Sequence, residues 1–309
     1  MEFSVPIRVR WDVDFRERSG RVKRIARKIA EASPLFVELH ISGNRGLSEL
    51  SGILAELQKA GPRISVHLGL SPGSTRTLRN GYPVEFVWDI GAEAGFLPKV
   101  PEGASAISFV PDADSLEELP EVLAEFADSG LAVLHLPNVN AVRALAARGH
   151  VPVPGIGRLR ESAGAVASMG LSLEGKRLVV HDFFLWKTLS GAFPGSAGER
   201  LEFSGCQAGT ALAYLDWDGT VYPCDSLPIR LGSLDESSLE EVWASPARER
   251  VVAALRATPG ACDGCGEYHG CHGGCRGMAY LAAGTFDVPD PACPVEQEPP
   301  SPTGKTSGQ

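Results

Sequence analysis

The first 205 residues of this 309-residue chain contain no cysteine. That absence excludes a thiolate-held metal centre from the first two thirds and a disulfide framework spread along the chain. No apolar run approaches the roughly 20 residues of a membrane-spanning helix, so no membrane partner is expected. Cations are short as well: 29 Lys and Arg face 38 Asp and Glu, for a formal charge of −9. Phosphate backbones demand clustered Lys and Arg, so nucleic acid is not expected as a partner. The one basic run, Arg16 to Lys28, falls where a first helix is predicted and reads as its solvated face. No stretch at the start reads as a secretory signal, which predicts a reducing, cytoplasmic location. What remains is ordinary for a folded protein, with 43% hydrophobic and 22% charged residues.

All seven cysteines fall between Cys206 and Cys293. Twelve residues separate Cys206 from Gly219, and four separate Gly219 from Cys224. After a gap of thirty-seven come Cys262, Cys265, Cys271 and Cys275, spaced by two, five and three residues; Cys293 follows seventeen later. Thiolates this close, on turns holding Gly264, Gly266, Gly270, Gly273 and Gly274, suit a metal centre that backbone and sulfur must approach closely. A disulfide framework would leave an odd cysteine over. Zinc wants four tetrahedral ligands, which Cys262, Cys265, Cys271 and Cys275 could supply, with His269 or His272 helping a second site. Iron–sulfur clusters suit the uneven spacing and the distant outliers.

The whole pattern, with "DGTVYPC" at 218–224, "LGSLDESSLEEVW" at 231–243 and "GGCRG" at 273–277, resembles the seven-cysteine SPASM domain. That domain follows the catalytic barrel in many radical S-adenosylmethionine (SAM) enzymes that modify peptides. The resemblance implies two auxiliary [4Fe–4S] clusters, one on Cys262, Cys265, Cys271 and Cys293 and the other on Cys206, Cys224 and Cys275. Two such clusters want eight protein ligands and the chain offers seven cysteines. One iron must therefore take another ligand or stay open.

The first half repeats strand then helix. Strands are predicted at 7–14, 36–41, 63–70, 84–90, 105–110 and 132–137 from their β-branched and aromatic content. Helices are predicted at 21–32 (Val22, Ile25, Ala26, Ile29 on one face), 46–60 (Leu47, Leu50, Ile53, Leu54, Leu57) and about 139–148. Another, 115–128, has Ser115 as its cap with Glu118 three residues on. Six βα units predict an α/β fold with a parallel sheet, either curled into a partial barrel or open and doubly wound, and six is the count in the partial barrel of radical SAM enzymes, which the chain resembles in order. The division expected is a barrel over 1–150, a connector over 151–203, the SPASM domain over 204–296 and a disordered tail over 297–309. Within the connector a helix near 158–169 precedes a strand at 178–185, whose alternation sends His181 and Asp182 to opposite faces. A hairpin, 211–217 with 220–224, is expected to turn on Asp218-Gly219, with helices at 238–243 and 246–256 beyond it.

One departure from the resembled family matters most. Its SAM-cleaving cluster sits on CxxxCxxC after the first strand, but here loop 14–20 reads DFRERSG. Ser42-Gly43-Asn44 stands where that family has a Gly-Gly-Glu turn for SAM. A barrel that cannot hold the initiating cluster is expected to bind no SAM and to start no radical chemistry alone. Strand alternation points Arg10, Asp12, Glu38, His40, Ser65 and His67 inward. A divalent metal on His40, His67 and His135, or hydrolase chemistry with Glu38, is an alternative, and ordinary hydrogen-bonded side chains are the plainer reading.

The expectation is an accessory iron–sulfur protein beside a radical SAM enzyme, acting on a small ribosomally made precursor peptide. It resembles the SPASM-domain companions of GeoRSP peptide-maturation systems. Its clusters would serve electron transfer or substrate ligation; alternatively it is an adaptor whose clusters, or zinc, only staple the fold. Tyr222, Arg230, Tyr268, Arg276 and Tyr280 are candidate anchors for a partner.

Overall fold

Side chains that alternate along short strands, joined by helices with one apolar face, build a single long sheet with helices packed against it. The computed structural model describes residues 3–16, 19–41, 47–69, 83–91, 95–101, 104–151, 153–194, 201–203 and 205–295. The order begins β1 (Arg8–Val13), α1 (Ser19–Glu31), β2 (Phe36–Ile41), α2 (Leu47–Leu57), β3 (Arg63–Gly69), β4 (Val84–Asp89) and β5 (Ala106–Ser108). It continues α3 (Leu119–Asp128), β6 (Val133–Leu136), α4 (Ala141–Arg148), α5 (Ile156–Ser168), β7 (Arg177–Val180), α6 (Phe183–Ala192) and β8 (Leu201–Phe203). The remainder is β9 (Leu212–Leu215), β10 (Thr220–Tyr222), β11 (Gly232–Ser233), α7 (Leu239–Trp243), α8 (Pro246–Arg256), α9 (Tyr268–Cys271) and α10 (Arg276–Ala283).

Strands β1 to β8 lie side by side in chain order, each parallel to the next. On the other side of β1 come β9, parallel to it, then β10 and β11, both antiparallel to their neighbours. The parallel array thus runs past six units, because β7 and β8 inside 151–203 extend it. The sheet also curls. Three strand spacings from β3 to β6 would span about 14 Å if flat, yet the rings of His67 and His135 on those strands are 6.3 Å apart. Val9, Trp11 and Val13 of β1, and Val37, Leu39 and Ile41 of β2, pack outward against α1 and α2 residues such as Ile25, Ile29, Ile53 and Leu57. The opposite faces of these strands hold Arg10, Asp12 and Glu38, with His67 of β3 beside them, all buried inside the curl.

Three local expectations change. The strand expected over 178–185 ends at Val180, because Asp182 caps α6 by accepting from the Leu185 N–H at 2.7 Å. The geometry that parts His181 from Asp182 is therefore a helix start rather than a strand. Ser115 caps nothing: its hydroxyl donates to the Val110 carbonyl at 2.6 Å and a 3-10 turn follows. A Ser238/Glu241 capping box opens α7 instead. The hairpin loop is wider than two residues: Asp216 N–H donates to the Thr220 carbonyl at 3.1 Å, enclosing 217–219 with Gly219 left-handed at φ 79°.

The basic face of α1 is engaged rather than only solvated. Arg21 and Arg24 pair with Asp235, and Lys28 donates to the Leu234 and Ser237 carbonyls at 2.5 and 2.9 Å. Together with the β1–β9 pairing, these contacts join the first helix to the segment around 218–237. No helix among the described residues is long and apolar enough to cross a membrane. Ser42-Gly43-Asn44, part of loop 14–20 and the tail expected over 297–309 lie outside the described residues.

Candidate functional site

Tight turns set the cysteines around two points. Cys262 ends a 3-10 turn, and the Cys265 N–H donates back to its carbonyl at 3.1 Å. Cys271 ends α9; His272, Gly273 and Gly274 then follow with φ of 48°, 81° and 72°, a left-handed reversal that sets Cys275 as N-cap of α10. Gly274 is fixed twice over. Any Cβ there would sit 2.5 Å from Asp290 Cβ and 2.6 Å from the Phe184 ring, besides straining the positive φ. At Gly277 the limit is space alone, since a Cβ would lie 2.5 Å from the Ser226 carbonyl oxygen. The "GGCRG" run is thus the tightest part of the region.

Cys262, Cys265, Cys271 and Cys293 line one cavity of about 300 Å³, closed on its other side by Phe183, Phe184 of α6 and Tyr268. A single zinc ion would draw four sulfurs to about 3.8 Å from one another and leave no such space. A polynuclear cluster fits these residues better. Burial, then the neighbouring thiols of Cys271, Cys293 and Cys265, push the Cys262 thiol above its ordinary range. Burial followed by the charges of Asp225 and Cys206 raises Cys224, and burial with Asp290 and Cys224 raises Cys275. Cys224 thus lies within electrostatic reach of both Cys206 and Cys275. Thiols crowded this way call for a cation among them, and a bound iron core reverses the trend. Asn138, at the end of β6, directs its Nδ2 at Cys275 Sγ from 3.4 Å, and the Cys275 N–H donates to Asp290 at 2.7 Å. Neither partner is signalled by cysteine spacing; only the fold brings residue 138 to residue 275.

The expected surface anchors divide. Arg276 is buried, donating to the Phe286 carbonyl and, at 3.0 Å, to that of Val288, so it is a brace of the 286–288 loop. Tyr280 stacks on Phe286 with centroids 5.0 Å apart, and the Tyr222 hydroxyl donates to Asp216 at 3.2 Å. Arg230 is exposed, 3.7 Å from Glu236.

The curled sheet encloses a second, polar group. Glu38 accepts from Arg8 and, at 2.8 Å, from Arg10 Nε, while Arg10 also pairs with Asp225, the residue after Cys224. Although burial opposes it, Arg10 and Arg8 hold the Glu38 carboxyl well below the usual range. Asp12 accepts from the Tyr214 hydroxyl at 2.7 Å and pairs with Arg143 of α4 at 2.7 Å. His40 and His67 stack with centroids 4.1 Å apart. Burial and neighbouring positive groups lower His40, and lower His135 and His181 to about 4, so these imidazoles are neutral.

Residues 206–266 match the SPASM family, an iron–sulfur cluster-binding domain. Overall the chain superposes on Streptococcus suis SuiB with a TM-score of 0.60 and 14% identity, over 93% of this chain and 76% of that one. The chain thus carries a SPASM match over one fifth of its length and shares its fold with SuiB. The likeness extends to native anSMEcpe with bound AdoMet and Cp18Cys peptide, TM-score 0.61 and 12% identity, over 93% of this chain and 94% of that one. Among curated relatives, the AdoMet-dependent heme synthase of Methanosarcina barkeri is 33% identical over 89 residues, 29% of this chain and 25% of its own length. Mycofactocin maturase MftC of Mycobacterium ulcerans is 28% identical over 130 residues, 40% of this chain and 33% of its own. The matched stretch thus spans about a quarter to a third of these relatives.

Proposed function

We propose that this SPASM protein is the accessory iron–sulfur partner of a radical SAM enzyme that modifies a small precursor peptide, as in GeoRSP-type maturation systems. The observation that carries the reading is a contrast: four cysteines line one cavity in a chain with the radical SAM fold whose first 205 residues have none. Cys262, Cys265, Cys271 and Cys293 would hold one [4Fe–4S] cluster, and Cys206, Cys224 and Cys275 the other. When bound, such clusters supply one-electron transfer, and the iron without a cysteine supplies a place to ligate substrate. The chain's own part is to shield the first cluster with Phe183, Phe184 and Tyr268 and to offer Asn138 as a hydrogen bond to the Cys275 sulfur. Without cysteines on loop 14–20 the barrel has no means to anchor SAM, so initiation falls to the partner. A reducing, cytoplasmic setting follows from free thiols held as ligands.

Support comes from the relatives' names: MftC is a maturase, and the anSMEcpe structure holds both AdoMet and a peptide. Anaerobically purified protein tests the reading. About eight iron and eight sulfide per chain are expected, with no 5′-deoxyadenosine formed from SAM and a reductant. Zinc without sulfide, or SAM cleavage by this chain alone, overturns it. The adaptor reading draws on the seating of the cavity between α6 and the cysteine turns, where a cluster would tie two segments together. A reversible one-electron couple in anaerobic voltammetry favours electron transfer over stapling.

A further inference from the structure

The polar group inside the curled sheet has no task in that reading. Glu38 and His40 stand two apart on β2, on one face, and His67 is the cross-strand partner of His40 on β3. Their ligand atoms all lie within 4.8 Å of one another. The His40 Nε2 is buried and meets no hydrogen-bond partner among the described residues. A buried polar atom left in this way is costly and rare, and it asks for an occupant. His67 Nδ1 faces Asp89 Oδ1 at 3.4 Å. That is the arrangement in which a carboxylate fixes the tautomer and leaves Nε2 free to donate its lone pair. The two arginines on Glu38 keep it ionised and fix its plane, while each oxygen retains a further lone pair.

We propose that Glu38, His40 and His67 bind a divalent transition-metal ion within the sheet's curl, separate from the cysteines. Two imidazoles with one carboxylate select zinc, cobalt or ferrous ions over calcium and magnesium, which prefer oxygen. His135, with its ring 6.3 Å from that of His67, is a further imidazole for a fourth position. The site stands apart from the cluster assignment, and either can fail without the other.

The test is Co²⁺ titration of anaerobic protein whose iron and sulfide are already in place. One equivalent should bind with d–d bands and without sulfur-to-cobalt charge transfer. His40→Gln and His67→Gln should abolish it, and Asp89→Asn should weaken it about 10–100-fold, all with iron and sulfide unchanged. A spectrum showing thiolate ligation, absence of any cobalt binding, or binding equal to wild type in both histidine variants overturns the proposal. Should the buried variants fail to fold, Asp89→Asn on its partly exposed side chain decides: weaker binding supports the site and unchanged affinity overturns it.

Discussion

Gly277 carries more constraint than its exchangeable chemistry suggests. With Ser226 oxygen 2.5 Å from where a Cβ would stand, Gly277→Ala must push α10 away from the 224–227 turn. Overpacking of this kind costs about 1–3 kcal/mol, read as a lower urea midpoint, and iron should be retained less well in air. Asp216 offers a pH handle in the hairpin loop. Burial first, then the hydrogen bond and charge of Asp218, raise it to about 7, against the Thr220 N–H and Tyr222 hydroxyl that favour its charge. The folded protein therefore holds this proton more tightly than the unfolded chain does. Its stabilising share is complete below the ordinary aspartate range near 4 and is lost as pH rises through about 7. The urea midpoint should fall between pH 5.5 and 8, and Asp216→Asn should flatten that slope. An unchanged slope in the variant would assign the effect to another group. At this scale the sequence was partly legible: the cysteines announced themselves by spacing. Asn138, Asp225 and Tyr214 could not, because their partners Cys275, Arg10 and Asp12 lie far along the chain.

Elements were read best where the apolar period was long and clean. The faces of α1 and α2 bury Val22, Ile25, Ala26 and Ile29, and Leu50, Ile53, Leu54 and Leu57, as the periodicity selects, and strands β1 to β6 fall inside their predicted spans. Errors gathered where a single side chain redirects the backbone. Asp182 turns "DFFL" into a helix, although its aromatics favour a strand. Asp216 widens the hairpin loop by accepting from Thr220 and Asp218 N–H groups. The basic run on α1 misled for another reason: its carbonyl and carboxylate partners lie some two hundred residues away. Lys28→Ala should therefore loosen the segment it holds, with faster amide exchange around 232–243 and little change in β3 to β6. Uniform exchange across the chain would mean that Lys28 only decorates the surface.

For the molecule as a whole, the two cysteine groups should part under substitution. On the proposed ligand sets, Cys265→Ala and Cys275→Ala each remove about half the iron, and the half left behind differs in its paramagnetic signal. Equal signals in the two variants would merge the groups. The expectation for the barrel came from order and count, and the curl itself was not visible in any one stretch. It rests on the approach of β3 to β6 and on Arg143 reaching Asp12, contacts between distant parts of the chain.

The parallel pairing of β9 with β1 has a consequence for how the protein is made. The outer edge of β1 waits for residues 212–215, which leave the ribosome about 10–40 s after it. Until then a strand holding Val9, Trp11 and Val13 has one side unpaired, and such edges invite other chains. A product stopped at residue 203 should therefore aggregate rather than persist as a soluble barrel. The last third of the chain closes the first strand, and the same third carries every cysteine.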